Sequence, residues 1–296
     1  MRRLGINNLM NQLIVTGDGD ITFFVYDLDK KELIFAKPKQ SELNSNLIAQ
    51  RRPPFRPFGI SVSNDLIFIA SNDRIGTFNK TTFEFIEILD IPVFTKTHQI
   101  LSEDNYLFVC NTSNDSIGIH NLTTKESKFL KFPDCVISNK IAIPIDAYEL
   151  DNVHVNSIHK NGELLYFCLH NKGISKFGFL NLETNQTEIL FNAGVCSHNV
   201  RILDNKIYSL SSKTGHIIQL NLETKEELFY PIVDPKIVFL RGLEIYEDKL
   251  LIACSNYYDN EDPIVSYLIS FDPKNNTMSP YMSIPEVKFI TDIHLL

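Results

Sequence analysis

The chain has 296 residues, 44% of them apolar, with a net charge of -8 and an isoelectric point near 5.5. That acidic balance lacks the clustered positive surface that phosphate backbones require, so no nucleic-acid partner is expected. No stretch approaches the roughly 18 uninterrupted apolar residues of a membrane helix, and the start MRRLGINNLMNQLIV has no signal-peptide core; no membrane partner and a cytoplasmic setting are expected.

From the N-terminus, residues 13–36 supply three short strands, LIVTGDG, ITFFVYDL and ELIFA. A Pro-broken basic run, Arg51-Arg52-Pro53-Pro54-Phe55-Arg56, reads as a connecting loop. Five units then follow the same course: a short strand, a tight polar turn and a strongly apolar strand. They are FGISVSNDLIFIAS, HQILSEDNYLFVCN, VNSIHKNGELLYFCL, NVRILDNKIYSLSS and LEIYEDKLLIACS. Their turns carry the Asn, Asp and Gly that hairpins demand, and their second strands the aromatic and β-branched residues that suit a sheet.

A third strand in each unit ends in a repeated phrase, an apolar residue followed by Asn or Asp and a polar turn. The copies begin at Tyr26-Asp27, Phe78-Asn79, His120-Asn121, Leu180-Asn181, Leu220-Asn221 and Phe271-Asp272, at spacings of 52, 42, 60, 40 and 51 residues. Such spacings match the length of a four-stranded propeller blade. The C-terminal stretch Phe289 to Leu296 then supplies the strand that residues 13–36 lack, which closes a ring and removes its edges. The expectation is an all-β, six-bladed β-propeller of antiparallel blades in one domain, residues 1–296. The blades lie at about 13–50 plus 288–296, 56–95, 96–150, 151–195, 196–236 and 237–285. Residues 44–50 and 145–150 are the helix candidates, and the insertion from Phe132 to Asn152 is expected to lie over one mouth of the ring.

In such a ring the first strand of each blade lines the channel. Its leading residues read Phe58, His98, His154, His198, Arg241 and Asp292, with Gln99, Asn156, Asn199, Arg201 and Glu244 beside them. Three imidazoles from rigid strands suggest a divalent-metal site with open positions at His98, His154 and His198. Glu244, Asp292, Arg241 and Arg201 are the catalytic candidates: the carboxylates as proton carriers, the arginines as clamps for a substrate anion. Gln99, Asn156 and Asn199 would bind substrate. The same side chains could instead hydrogen-bond neighbouring strands and trapped water in a wet channel. Of the other histidines, His159 is expected to be solvated in a hairpin turn, and His170 to end a second strand, with the opposite mouth as its best chance of a role. No P-loop, G-x-G-x-x-G or H-E-x-x-H occurs, so no nucleotide cofactor is expected. Five cysteines without a CxxC pair indicate neither a zinc ribbon nor a disulfide framework.

The blade pattern resembles the six-bladed β-propeller superfamily that includes NHL-repeat and gluconolactonase-like proteins. The phrases His154-Val155-Asn156, Ser197-His198-Asn199-Val200-Arg201 and Arg241-Gly242-Leu243 look closer to poorly characterised bacterial propellers with H-x-N, S-H-N-V-R and R-G-L signatures. The resemblance implies a polar channel mouth and no settled reaction. Gluconolactonase-like enzymes hold their metal with Glu, Asn and Asp, where this chain has histidines, so those ligands do not carry over. The functional expectation is a small polar or anionic molecule at the mouth, bound or turned over by a hydrolase- or lyase-type enzyme. A non-catalytic scaffold for a protein partner is the alternative.

Overall fold

A computed structural model describes residues 11–18, 21–39, 57–71, 73–89, 91, 96–132, 134–138, 151–232, 239–255 and 265–296. The repeated phrase now has a physical meaning. Asn79 Oδ1 accepts the backbone N–H groups of Thr81 and Thr82, both at 2.8 Å, and Asn121 does the same for Thr123 and Thr124 at 2.9 and 2.8 Å. Asn181, Asn221, Asp27 and Asp272 repeat the bond in their own blades. Each is an Asx turn that folds the third strand back into the fourth. Four residues on, Lys31, Phe83, Lys125, Asn185, Lys225 and Asn276 all take φ between 54° and 62°, so the six turns share one backbone course. The hairpins between first and second strands use two-residue turns with both φ positive, at Asp204-Asn205 and Glu247-Asp248, the hand that matches strand twist.

The strands form six antiparallel sheets arranged as blades around a channel. The chain is a six-bladed β-propeller. Its innermost strands are Ile290–Leu295, Ile60–Val62, Thr97–Glu103, Val155–Asn161, Ser197–Leu203 and Phe239–Tyr246. As expected, the C-terminal strand closes the ring: it pairs antiparallel with Gln12–Gly17, with Leu13 opposite Leu295 and Val15 opposite Ile293.

The core is divided in the same way. Each apolar cluster lies between two neighbouring blades, and the one built on Leu13, Val15, Ile293, Leu251 and Leu268 joins the first blade to the last. No α-helix occurs among the described residues. The helix candidates at 44–50 and 145–150 lie outside them. The insertion at 132–152 begins differently from its expected course over a mouth. Val136–Ser138 adds a fifth strand to the outer rim of the third blade, pairing with Phe129 to Lys131. Residues 139–150 lie outside the described set, and the chain returns at Asp151 beside the channel.

Candidate functional site

Counting back from each hairpin fixes which channel residues are equivalent. The anchor is an apolar side chain that turns outward into the core, namely Ile60, Ile100, Ile158, Val200, Leu243 and Ile293, all at most 2% exposed. One residue earlier stand Gly59, Gln99, Ser157, Asn199, Gly242 and Asp292. Two residues earlier stand Phe58, His98, Asn156, His198, Arg241 and Thr291, the tier nearest the mouth. One residue later stand Ser61, Leu101, His159, Arg201, Glu244 and His294, deeper in the channel. A bulge near the mouth end of five of these inner strands inserts the extra residue that lets two successive side chains serve the channel.

This register corrects two of the expected equivalences. Asp292 belongs one tier below His98. His154 is the counterpart of Lys96 and Cys196, the residues just before their strands, and all three have left-handed φ between 51° and 57°. The true counterpart of His98 in that blade is Asn156.

The middle tier works as a set of clasps between blades. Asp292 Oδ2 accepts Ile60 N–H at 3.1 Å and its Oδ1 accepts Asn199 Nδ2 at 3.2 Å. Asn199 Oδ1 accepts Gly242 N–H at 2.8 Å, and Gln99 Oε1 accepts Ile158 N–H at 3.0 Å. From the tier above, Asn156 Nδ2 donates to Ser197 O at 2.8 Å. The space left between these two tiers is about 10 Å³, room for roughly one water. Gln99, Asn156, Asn199 and Asp292 thus each spend at least one polar group on a neighbouring blade, and burial pushes the Asp292 carboxyl above its usual range.

Arg201 and Glu244 lie two ladder steps, roughly 7 Å, deeper than His198 and Arg241, the bulge taking up one of the three residues between them. Arg201 Nη2 donates to Glu244 Oε2 at 3.2 Å and its Nε to Oε1 at 3.4 Å, a buried fork that ties two blades. His294 Nδ1 stands 3.8 Å from the same carboxylate. Opposing burial, the Arg201 charge holds the Glu244 carboxyl below its usual range. These two residues therefore do not share the mouth with the histidines. His159 lies on its strand in this deeper tier, not in a solvated turn, and burial pushes it down to about 4.

At the mouth four imidazoles meet, not three. The His98 ring lies 5.0 Å from His154 and 6.3 Å from His198, and His170 completes the cluster at 4.8 Å from His154 and 5.2 Å from His198. His170 follows the second strand Leu164–Leu169. An antiparallel second strand returns to the end where the first began, so His170 lands at this mouth and not the opposite one. Arg241 extends over the cluster, flanked by Phe58 and Phe239 with ring centres 6.0 and 5.9 Å away.

Hydrogen bonds fix where each imidazole carries its proton. Arg241 Nη2 donates to His98 Nδ1 at 2.8 Å, and the Lys172 N–H donates to His170 Nδ1 at 3.0 Å. Both neutral rings therefore keep their hydrogen on Nε2. His154 Nδ1 faces the Asp151 carboxylate at 2.7 Å and must donate to it. His198 Nδ1 faces Ser212 Oγ at 2.8 Å, and that hydroxyl already donates to Leu240 O at 2.6 Å, so His198 donates as well. His154 and His198 thus present a lone pair at Nε2, whereas His98 and His170 present an N–H.

All four rings are neutral near pH 7. Burial pushes His98 and His198 well below the usual histidine range, with Arg241 adding to it. Burial takes His170 to about 4 and lowers His154 too, where Asp151 partly offsets it.

The expected three-histidine metal site does not fit this donor set. The His98 ring bonds a guanidinium at one nitrogen and holds a proton on the other. Among the described residues no group of three or more His, Cys, Asp or Glu side chains is arranged to hold a metal ion.

No protein-family model and no curated protein matches the chain. Solved structures do. A chain from the nidogen/laminin complex aligns with a TM-score of 0.68 at 12% identity, over 95% of this chain and 97% of that one. A protein of unknown function from Bacteroides caccae aligns at 0.64 and 13% identity, over 95% and 97%. A streptogramin B lyase aligns at 0.53 and 12% identity, over 76% of this chain and 82% of that one. The likeness is one of fold. It spans proteins of different kinds, so the site has to speak for itself. No helix among the described residues is long and apolar enough to cross a membrane.

Proposed function

We propose that the channel mouth binds a small anionic molecule, with Arg241 as the charge that recognises it. The observation that carries this is the partner of Arg241. Among the described residues its hydrogen-bond partner is the neutral His98 ring, not a carboxylate. Burial takes the guanidinium down to about 10, with only the more distant Asp292 and Asp18 opposing, so the charge is held at a cost that an anion would relieve. Its planar fork suits a carboxylate or a phosphate, and Arg241 and His98 keep part of their surface open to the mouth.

The surroundings agree. Lys96 and Lys172 stand 3.2 and 3.5 Å from Asp151 Oδ2, so two further cations flank the carboxylate beside the cluster that Arg241 covers, in a chain of net charge -8. The middle and deeper tiers hold the walls in place and take no part in recognition. The scaffold alternative draws on the fold shared with the nidogen/laminin chain, but the charge pattern at the mouth favours a small ligand.

Thermal melting in malonate or phosphate, against chloride at matched ionic strength, tests this. The intact protein is expected to gain about 2.7 kcal/mol when the anion stands at one hundred times Kd. Arg241→Met is expected to lose that gain. Equal shifts in the two proteins, or none in either, would refute anion binding at Arg241.

A further inference from the structure

The mouth also holds a pair that the anion site alone does not need. Asp151 and His154 belong to the segment that re-enters the ring after the long insertion. The Asp115 carboxylate accepts three successive backbone N–H groups there, from Asn152, Val153 and His154, at 2.7, 3.1 and 2.9 Å. His154 takes φ 51°, as Lys96 and Cys196 do before their own strands, and the Asp115 bonds pin its backbone there. Asp151 is 6% exposed, and its other oxygen bonds Lys96. The imidazole is therefore oriented from behind by an ionised carboxylate, with its free Nε2 on the ring edge away from that carboxylate.

We propose that Asp151 and His154 form a proton-transfer pair, in which His154 Nε2 is the base toward the anion held by Arg241. This rests on the anion site proposed above. The substrate class is a small carboxylate or phosphate that carries a hydroxyl, or a C–H bond next to a carbonyl. The proton leaves that group for His154 Nε2, and the resulting imidazolium lies against the Asp151 charge. The electron pair stays on the substrate. The oxygen that gathers it is met by the Nε2–H of His98 or His170, the two rings that flank His154 with the opposite tautomer. No oxidant, reductant or second reactant is needed. His198 also has a free Nε2, but a neutral hydroxyl stands behind it and it is 7% exposed, so it is the weaker and less accessible base.

Bromoacetate tests the pair without knowledge of the substrate. Arg241 holds its carboxylate; the Nε2 lone pair forms a bond to its carbon while the C–Br bond breaks and bromide leaves. Full-length protein at pH 7.5 is treated with bromoacetate or with the neutral bromoacetamide, and the histidine peptides are mapped by fragmentation mass spectrometry. His154 is expected to label at least tenfold faster than His98, His170 or His198. It should react faster with bromoacetate than with the amide, and malonate should slow the reaction. Asp151→Asn is expected to slow labelling of His154 about tenfold or more; the intact protein's preference among the four rings tests the pair even if that variant does not fold. Labelling of another ring as fast as His154 would overturn the base assignment and leave the anion site standing. Equal rates with the charged and neutral reagents, unchanged by malonate, would instead overturn both.

Discussion

A chain ending at Lys288 is expected not to fold cooperatively. The eight residues removed include Ile290 and Ile293, which are 1% and 0% exposed and pack in the cluster that joins the first blade to the last. Burying these two side chains is worth about 3–6 kcal/mol, already near the whole stability of a typical domain. The truncation also removes Asp292, whose two oxygens bond Ile60 and Asn199, and it leaves the strand Gln12–Gly17 as a bare edge. Urea unfolding followed by circular dichroism separates the cases. The full chain should show one sigmoidal transition and the truncated chain none. A truncated chain that unfolds with the same midpoint would mean that the ring is not closed by this strand.

The second large effect is loss of stability in mild acid. His120 is 1% exposed and burial puts it at about 4; His159 in the deeper tier is also at about 4. Both are near 6.5 when unfolded. Above pH 6.5 neither state binds the proton and the histidines contribute nothing. As pH falls from 6.5 to 4, the unfolded chain takes up protons that the folded chain refuses, so stability drops by about 1.4 kcal/mol per pH unit for each such ring. His120 alone then costs about 3 kcal/mol by pH 4. His98, His154, His170 and His198 shift in the same direction and add to the fall. Asp115 and Asp292, whose carboxyls are raised by burial, oppose it below their folded values. Urea midpoints at pH 7.5 and 5.0 measure the fall, and His120→Leu should flatten the slope by about one proton's worth. A midpoint that does not move between those two values would contradict the buried, neutral state of these rings.

The architecture was legible in the sequence because its signal is local. The Asn or Asp of each repeated phrase bonds the backbone two and three residues ahead, so six copies of one turn announce six blades without any long-range information. The site was harder to read because its residues meet across blades, where a slip of one residue changes which tier a side chain occupies. Alignment on the histidines placed His154 opposite His98 and Asp292 at the mouth. Alignment on the outward apolar residue, Ile60 through Ile293, would have set Asn156 and Thr291 there instead. Arg201 and Glu244 look adjacent to the mouth when the strands are read as short words, but even with a bulge between they lie two ladder steps, roughly 7 Å, down the channel. His170 is easy to misplace from its own word, because only the return direction of the second strand brings it to the same mouth as His154. Asp151 carried no signal at all: it sits at the end of an insertion, and nothing local says that its carboxylate will meet His154 three residues on.

The arrangement of protons among the four mouth imidazoles is the point on which anion recognition and the base assignment both depend. Long-range proton–nitrogen NMR of the histidine rings at pH 7.5, assigned by single substitutions, reads it directly. The expected pattern is Nδ1–H for His154 and His198 and Nε2–H for His98 and His170, all neutral. A hydrogen on Nδ1 of His98, or a His154 with its hydrogen on Nε2, would mean that Arg241 and Asp151 do not hold these rings as described, and the site would lose both its anion clamp and its base.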